Sequence, residues 1–138
     1  MKELKQQLDF ILELDRLKAV YRKAMVKSDN NRYENSAEHS WHIALIAQTL
    51  HSCAEEPVDI NRVVSMLLIH DIVEIDAGDM FAFATQQELD GQEEKEIEAA
   101  NRIFGLLPET QFQQMKQLWL EFEAAKTPDA RFAKAMDR

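Results

Sequence analysis

The feature that most constrains this chain is the period of its apolar residues in a sequence nearly free of helix breakers. Its 138 residues include only three glycines and three prolines, too few for a sandwich or barrel of short strands joined by turns. Apolar residues recur instead at helical spacing. Leu4, Leu8, Ile11, Leu14 and Tyr21 trace one stripe, widened by Leu12, Leu17 and Val20, and predict a first helix over 2–26. Ser28 to Asn35 is polar and reads as a loop. Asn35 with Glu38 has the form of a capping box and opens a helix over 36–54, which Glu55-Glu56-Pro57 ends. Asp59 caps a third helix over 60–76, stopped by Gly78. Thr85 with Glu88 is a second capping box, for a helix ending near Gly105. Pro108 suits the first turn of a helix running to Lys126, and Thr127-Pro128 opens the last one. The expected architecture is all-α, a single domain over 1–138 built from about six helices. The last of these has barely begun at Arg138 and reads as an element cut short.

Composition narrows the function classes. The formal net charge is -9, which argues against a non-specific nucleic-acid binder, since that needs a basic face. An anionic small substrate stays open, because a bound cation and a few local basic residues can reverse the field in a pocket. Cys53 is the one cysteine; it has no intrachain disulfide partner and fits a reducing compartment. The N-terminus, Met1-Lys2-Glu3-Leu4-Lys5, lacks the apolar run of a signal peptide. The strongly apolar stretch Val63 to Ile69 is interrupted by Ser65 and is too short to span a bilayer. The expectation is a cytoplasmic protein with neither membrane nor nucleic acid as partner.

The informative polar residues share faces with apolar ones. On a wheel of about 100° per residue, His70, Asp71 and Glu74 fall with Val63, Val64 and Leu67, away from Arg62, Ser65 and Asp76. An unpaired buried carboxylate costs several kcal/mol. Two carboxylates and an imidazole facing inward therefore call for a compensating charge, and a divalent cation is the simplest one. The competing reading is an amphipathic helix with Asp71 and Glu74 exposed. His39 lies early in the second helix, where a lone histidine is more often an ordinary core or surface residue than a ligand. His42 and His51 are read as structural or supporting residues. Asp137 falls on the side of the last helix shared with Ala130 and Ala133, with an i,i+3 partnership to Lys134 as the alternative.

The order His39, then His70-Asp71, then Asp137 resembles the H…HD…D signature of the HD-domain metal-dependent phosphohydrolases. Arg32-Tyr33-Glu34-Asn35-Ser36-Ala37-Glu38-His39-Ser40 is similar to the R-x-E-N-x-x-E-H-S segment of their bacterial 5′-deoxynucleotidase branch. His70-Asp71-Ile72-Val73-Glu74 with Gly78-Asp79 is similar to that branch's H-D-x-x-E…G-D. Arg16-Leu17-Lys18 with Tyr21-Arg22 resembles its R-L-K…R, and Ala130 to Asp137 resembles the helix of its final ligand.

The resemblance implies a helical fold and one divalent metal, Mn²⁺, Co²⁺, Fe²⁺ or Zn²⁺, held by His39, His70, Asp71 and Asp137. It implies Glu74 as general acid/base, Arg22 as phosphate ligand, Arg32 as its support and Asp79 as a hydrogen-bonding partner of the sugar. In that branch a tryptophan follows the arginine that matches Arg22 and packs on the sugar. Here Lys23 follows, and similar handling of ribose and deoxyribose is expected. The substrate class implied is a small phosphate ester, above all a nucleoside monophosphate. The alternatives are a cyclic or diphosphate nucleotide, or a metal-holding domain without turnover. Guanosine-polyphosphate hydrolases carry an acidic doublet where this chain has Glu74-Ile75, which counts against that substrate. The resemblance also implies a homodimer.

Overall fold

The computed structural model describes residues 1–78 and 85–138. Seven α-helical segments occur among them: α1 (Lys2–Leu14), α2 (Ser36–Thr49), α3 (Ile60–Ile69), α4 (Glu74–Ala77), α5 (Gln86–Phe104), α6 (Glu109–Ala124) and α7 (Pro128–Met136). They are joined by one antiparallel hairpin, β1 (Tyr21–Val26) with β2 (Arg32–Asn35). The fold is helical, as the apolar period predicts, and the hairpin is the departure from it.

The departure begins within the expected first helix. α1 stops at Leu14, a 3₁₀ stretch covers Asp15–Ala19, and the chain then extends. Asn30 and Asn31 turn it back with φ of 55° and 60°, a conformation asparagine tolerates better than most residues. Asn31 N donates to Val26 O to close the turn. The stripe Leu4, Leu8 and Ile11 is exposed, and Phe10 is the residue α1 buries.

Two apolar clusters form the core. One gathers Phe10, Leu17, Ile69, Ile72, Val73, Ala99, Ala100, Ile103, Phe104, Leu107 and Trp119. The other gathers Ile43, Ala44, Ala47, Val63, Met66, Leu67, Phe122, Ala130 and Ala133. In the second, the alanines of α2 and α7 let both helices approach α3 closely, as small side chains at a crossing do. α3 belongs to the second cluster through Met66 and Leu67 and to the first through Ile69. His70 and Asp71 sit at the seam.

The expected helix over 60–76 is broken at that seam. α3 ends at Ile69, Ile72 N donates to Ile69 O and Glu74 N to Asp71 O, and α4 resumes for a single turn. These three-residue bonds wind the chain more tightly than an α-helix, so Ile72 and Val73 turn into the first cluster. Gly78 then takes φ +71°, the left-handed region that favours glycine.

Helix starts follow local chemistry. Asn35 Oδ1 accepts from Glu38 N at 2.9 Å, and Asn35 Nδ2 donates to Glu38 Oε1 at 2.7 Å. Thr85 caps α5 through Glu88 N, and Thr127 caps α7 through Ala130 N with Pro128 in the first turn. Pro108 is the cap of α6 rather than part of its first turn, and α2 ends at Thr49 rather than Ala54. No helix among the described residues is long and apolar enough to cross a membrane. Cys53 is exposed.

Candidate metal centre

Three helices deliver one side chain each to a single point. The capping box sets His39 one turn into α2. The break after Ile69 presents His70. Asp137 closes the C-terminus of α7, its backbone N–H still bonded to Ala133 O. Ligand atoms of His39, His70 and Asp137 all lie within 4.8 Å of one another. His39 Nε2 is 2.7 Å from Asp137 Oδ1, and His70 Nε2 is 3.4 Å from the same oxygen. The His39 and His70 rings are 5.9 Å apart, and the Phe122 ring closes the His70 side at 5.1 Å. The i,i+3 alternative for Asp137 is not what forms: Lys134 Nζ faces Glu123 Oε2 at 3.9 Å and lies 4.5 Å from the Phe122 ring centre.

Asp71 lies alongside this group. It is buried, with Oδ1 3.1 Å from His70 Nε2 and Oδ2 3.4 Å from Arg22 Nη1. Arg22 comes from β1 and Glu34 from β2. Glu34 Oε1 is 3.4 Å from both Arg22 Nε and His39 Nδ1. Glu74 opens α4, and the fully buried Ser36 donates to its Oε2 at 3.1 Å. Arg32 pairs with Asp29 and with Glu38, at 2.9 Å to Glu38 Oε1, across the hairpin turn and the start of α2. Lys23 is exposed on β1. Asp79, the expected sugar partner, lies outside the described residues.

The electrostatics of the group fit a cation. His70 Nδ1 donates to Leu67 O at 2.6 Å, which assigns the proton to Nδ1. Its Nε2 is then a buried lone pair with no hydrogen-bond partner, facing two carboxylate oxygens. A neutral imidazole in that position is repelled; a proton or a metal ion on Nε2 relieves it. Burial opposes charge on His70, yet the Asp137 and Asp71 carboxylates outweigh it and raise its pKa above the ordinary value. Burial would raise the Asp137 carboxyl too, but the His39 and His70 imidazoles hold it well below the usual range. Asp71 is pushed up by burial against the pull of His70 and Arg22. Two imidazoles with carboxylates suit a first-row divalent ion.

A cavity of about 170 Å³ adjoins the group, lined by His70, Asp71, Glu74, Gln92, Glu96 and Glu123 among others. Burial pushes the Glu96 carboxyl up to about 7, helped by Glu123, while burial also raises Glu123. Neither Glu96 nor Glu123 is among the candidates that the sequence motifs single out. The signal for Glu96 is present: Gln92 and Glu96 continue the inward stripe of Ala99, Ala100 and Ile103, the same pattern that singles out His70.

Residues 14–138 match the HD domain family. The chain belongs to it. Among curated relatives, this HD domain is 29% identical to the human 5′-deoxynucleotidase HDDC2 over 131 residues, covering 95% of this chain and 62% of that protein. It is 26% identical to the 5′-deoxynucleotidase hdd1 of Schizosaccharomyces pombe, covering 91% and 63%. The HD domain described here thus spans less than two-thirds of these relatives. Among solved structures it is 50% identical to a protein of Magnetospirillum magnetotacticum MS-1 described as a predicted metal-dependent phosphohydrolase. That match has a TM-score of 0.89 and covers 99% of this chain and 69% of the other. An HD-domain phosphohydrolase from Listeria innocua shares the fold at TM-score 0.76 and 21% identity, over 95% of this chain and 64% of that one.

Proposed function

We propose that this HD domain is the hydrolytic part of a metal-dependent phosphomonoesterase acting on nucleoside 5′-monophosphates. The observation that carries the reading is the convergence of His39, His70 and Asp137 from three helices, with a buried His70 Nε2 that has no protein hydrogen-bond partner and faces two carboxylate oxygens. The relatives named 5′-deoxynucleotidase support the substrate class, and the Magnetospirillum protein supports the chemistry.

In this reading His39, His70, Asp71 and Asp137 hold one Mn²⁺, Co²⁺, Fe²⁺ or Zn²⁺. When bound, such an ion supplies Lewis-acid charge that offsets negative charge developing on phosphorus and makes water a stronger nucleophile at neutral pH. Arg22, brought beside Asp71 by the hairpin, binds a phosphate oxygen through charge-assisted hydrogen bonds. Glu74, set by Ser36, moves a proton between water and the leaving hydroxyl. Arg32 braces the hairpin turn that presents Arg22. Lys23 and Asp79 are assigned to the sugar. A homodimer and a cytoplasmic location belong to the same proposal. The test is a metal assay on the purified chain, followed by a phosphate-release screen over nucleoside monophosphates with Mn²⁺ or Co²⁺ supplied. Release from none of them ends the reading.

A further inference from the structure

We infer that Glu34 is a positioning residue whose single carboxylate oxygen orients both the His39 imidazole and the Arg22 guanidinium, coupling the metal and phosphate halves of the site. This rests on the reading of the site given above. Glu34 Oε1 faces His39 Nδ1 and Arg22 Nε at the same separation, 3.4 Å. The side chains of Glu34 and His39 are 17% and 11% exposed, so water competes weakly for either contact.

The chemistry on the His39 side is tautomer selection. For a neutral imidazole to offer Nε2 to a metal, its proton must sit on Nδ1. A carboxylate opposite Nδ1 stabilises that tautomer and raises the basicity of the other nitrogen. His70 reaches the same state by donating to Leu67 O within its own turn. Opposite His39 Nδ1 stands instead the Glu34 carboxylate of the hairpin, 3.4 Å away.

On the Arg22 side the same oxygen fixes the orientation of a planar group. Arg22 Nε is buried and makes no hydrogen bond at this separation. The charges of Glu34 at Nε and Asp71 at Nη1 are what hold that edge of the guanidinium. Losing Glu34 leaves a buried donor facing nothing and frees the plane to rotate.

The test compares Glu34→Ala, Glu34→Gln and Tyr33→Ala, an exposed neighbour on the same strand. Co²⁺ affinity is measured by calorimetry, then the affinity of the Co²⁺-loaded chain for inorganic phosphate. Glu34→Ala is expected to weaken Co²⁺ by about 10–100-fold, the usual cost of removing a histidine's outer partner, and to weaken phosphate by about tenfold. Glu34→Gln keeps an amide oxygen for Nδ1–H but no charge for Arg22. It is expected to recover most of the Co²⁺ affinity and little of the phosphate affinity, a split that mere loss of hairpin structure does not produce. Tyr33→Ala changes neither constant. Co²⁺ affinity in Glu34→Ala within about twofold of the parent, or a Glu34→Gln variant as defective toward Co²⁺ as Glu34→Ala, overturns the inference. A parent chain that binds no Co²⁺ overturns the reading of the site and this inference with it.

Discussion

His39, His70 and Asp137 stand on helices packed by alanines and large apolar groups with almost no exposure. Arg22 and Glu34 stand on a hairpin whose other side chains are mostly exposed. The first region is held by burial, at roughly 25 cal/mol per Å² of apolar surface. The second is held by backbone pairing, by Ser36 N donating to Val20 O, and by ion pairs that end on the first region. A packed core fixes donor atoms within tenths of an ångström, which metal ligation needs. A light hairpin fixes the Arg22 guanidinium less tightly, which suits the role proposed for it at the phosphate.

The widest expected effect separates chemistry from construction. Glu74→Ala leaves the four proposed ligands and the apolar clusters in place, so it should keep the metal and lose hydrolysis by about 10²–10⁴-fold. Unchanged turnover in single-turnover assays removes Glu74 from the mechanism. Asp71→Ala should lose both metal and turnover.

Stability should divide along the same line. Phe104, fully buried in the first cluster, should cost about 3–5 kcal/mol as Phe104→Ala. Tyr33→Ala on the hairpin should stay within about 0.5 kcal/mol. Denaturant midpoints test the pair, and equal losses would erase the distinction between the two regions.

A smaller effect sits between them. The Glu96 carboxyl has an ordinary value of 4.5 and is pushed up to about 7 in the fold. Between those pH values the folded chain keeps a proton that the unfolded chain has lost, so stability falls as pH rises across the window and is level above it. Glu96→Gln, measured with chelator present, should remove the slope. It should exceed the parent by roughly 1–2 kcal/mol near pH 8, after discounting for solvent screening, and match it below about pH 4. A parallel pH profile in both proteins contradicts this.

The least effect is expected at Lys23. With Lys23 at the sugar as proposed, its flexible stem would leave room for a 2′-hydroxyl, so kcat/KM for AMP and dAMP should differ by about 10²-fold or less. A deoxy preference above about 10³-fold would assign discrimination to another residue.

What the sequence disclosed follows the same division. The capping pairs at Asn35–Glu38, Thr85–Glu88 and Thr127–Ala130 are local chemistry, and each opens a helix where the residues imply. The inward placement of His70, Asp71 and Asp137 was legible as polar residues on apolar stripes. The break at Ile69 was not, because no glycine or proline marks it; it arises from Met66 and Leu67 entering one cluster while Ile69, Ile72 and Val73 enter the other. The hairpin was not legible either. Tyr21 to Val26 continues an apolar stripe well enough to pass for helix, and its strands, exposed on most positions, lack the alternation that betrays a half-buried strand. Asn30-Asn31 was the available signal. Glu34 stood inside a segment singled out for its neighbours, and its role depends on that unseen hairpin.

The proposal stands or falls on the packing of three helix ends that brings His39, His70 and Asp137 into one cation site. Its most direct test is the metal content of the purified chain and of Asp137→Ala, after equilibration with Co²⁺ and the same buffer wash, read by elemental analysis alongside the helical circular dichroism signal. About one ion per chain is expected in the parent, with a loss of nearly all of it in Asp137→Ala and the same helical content in both. A parent that holds no ion, or an Asp137→Ala variant that holds as much as the parent, would contradict it.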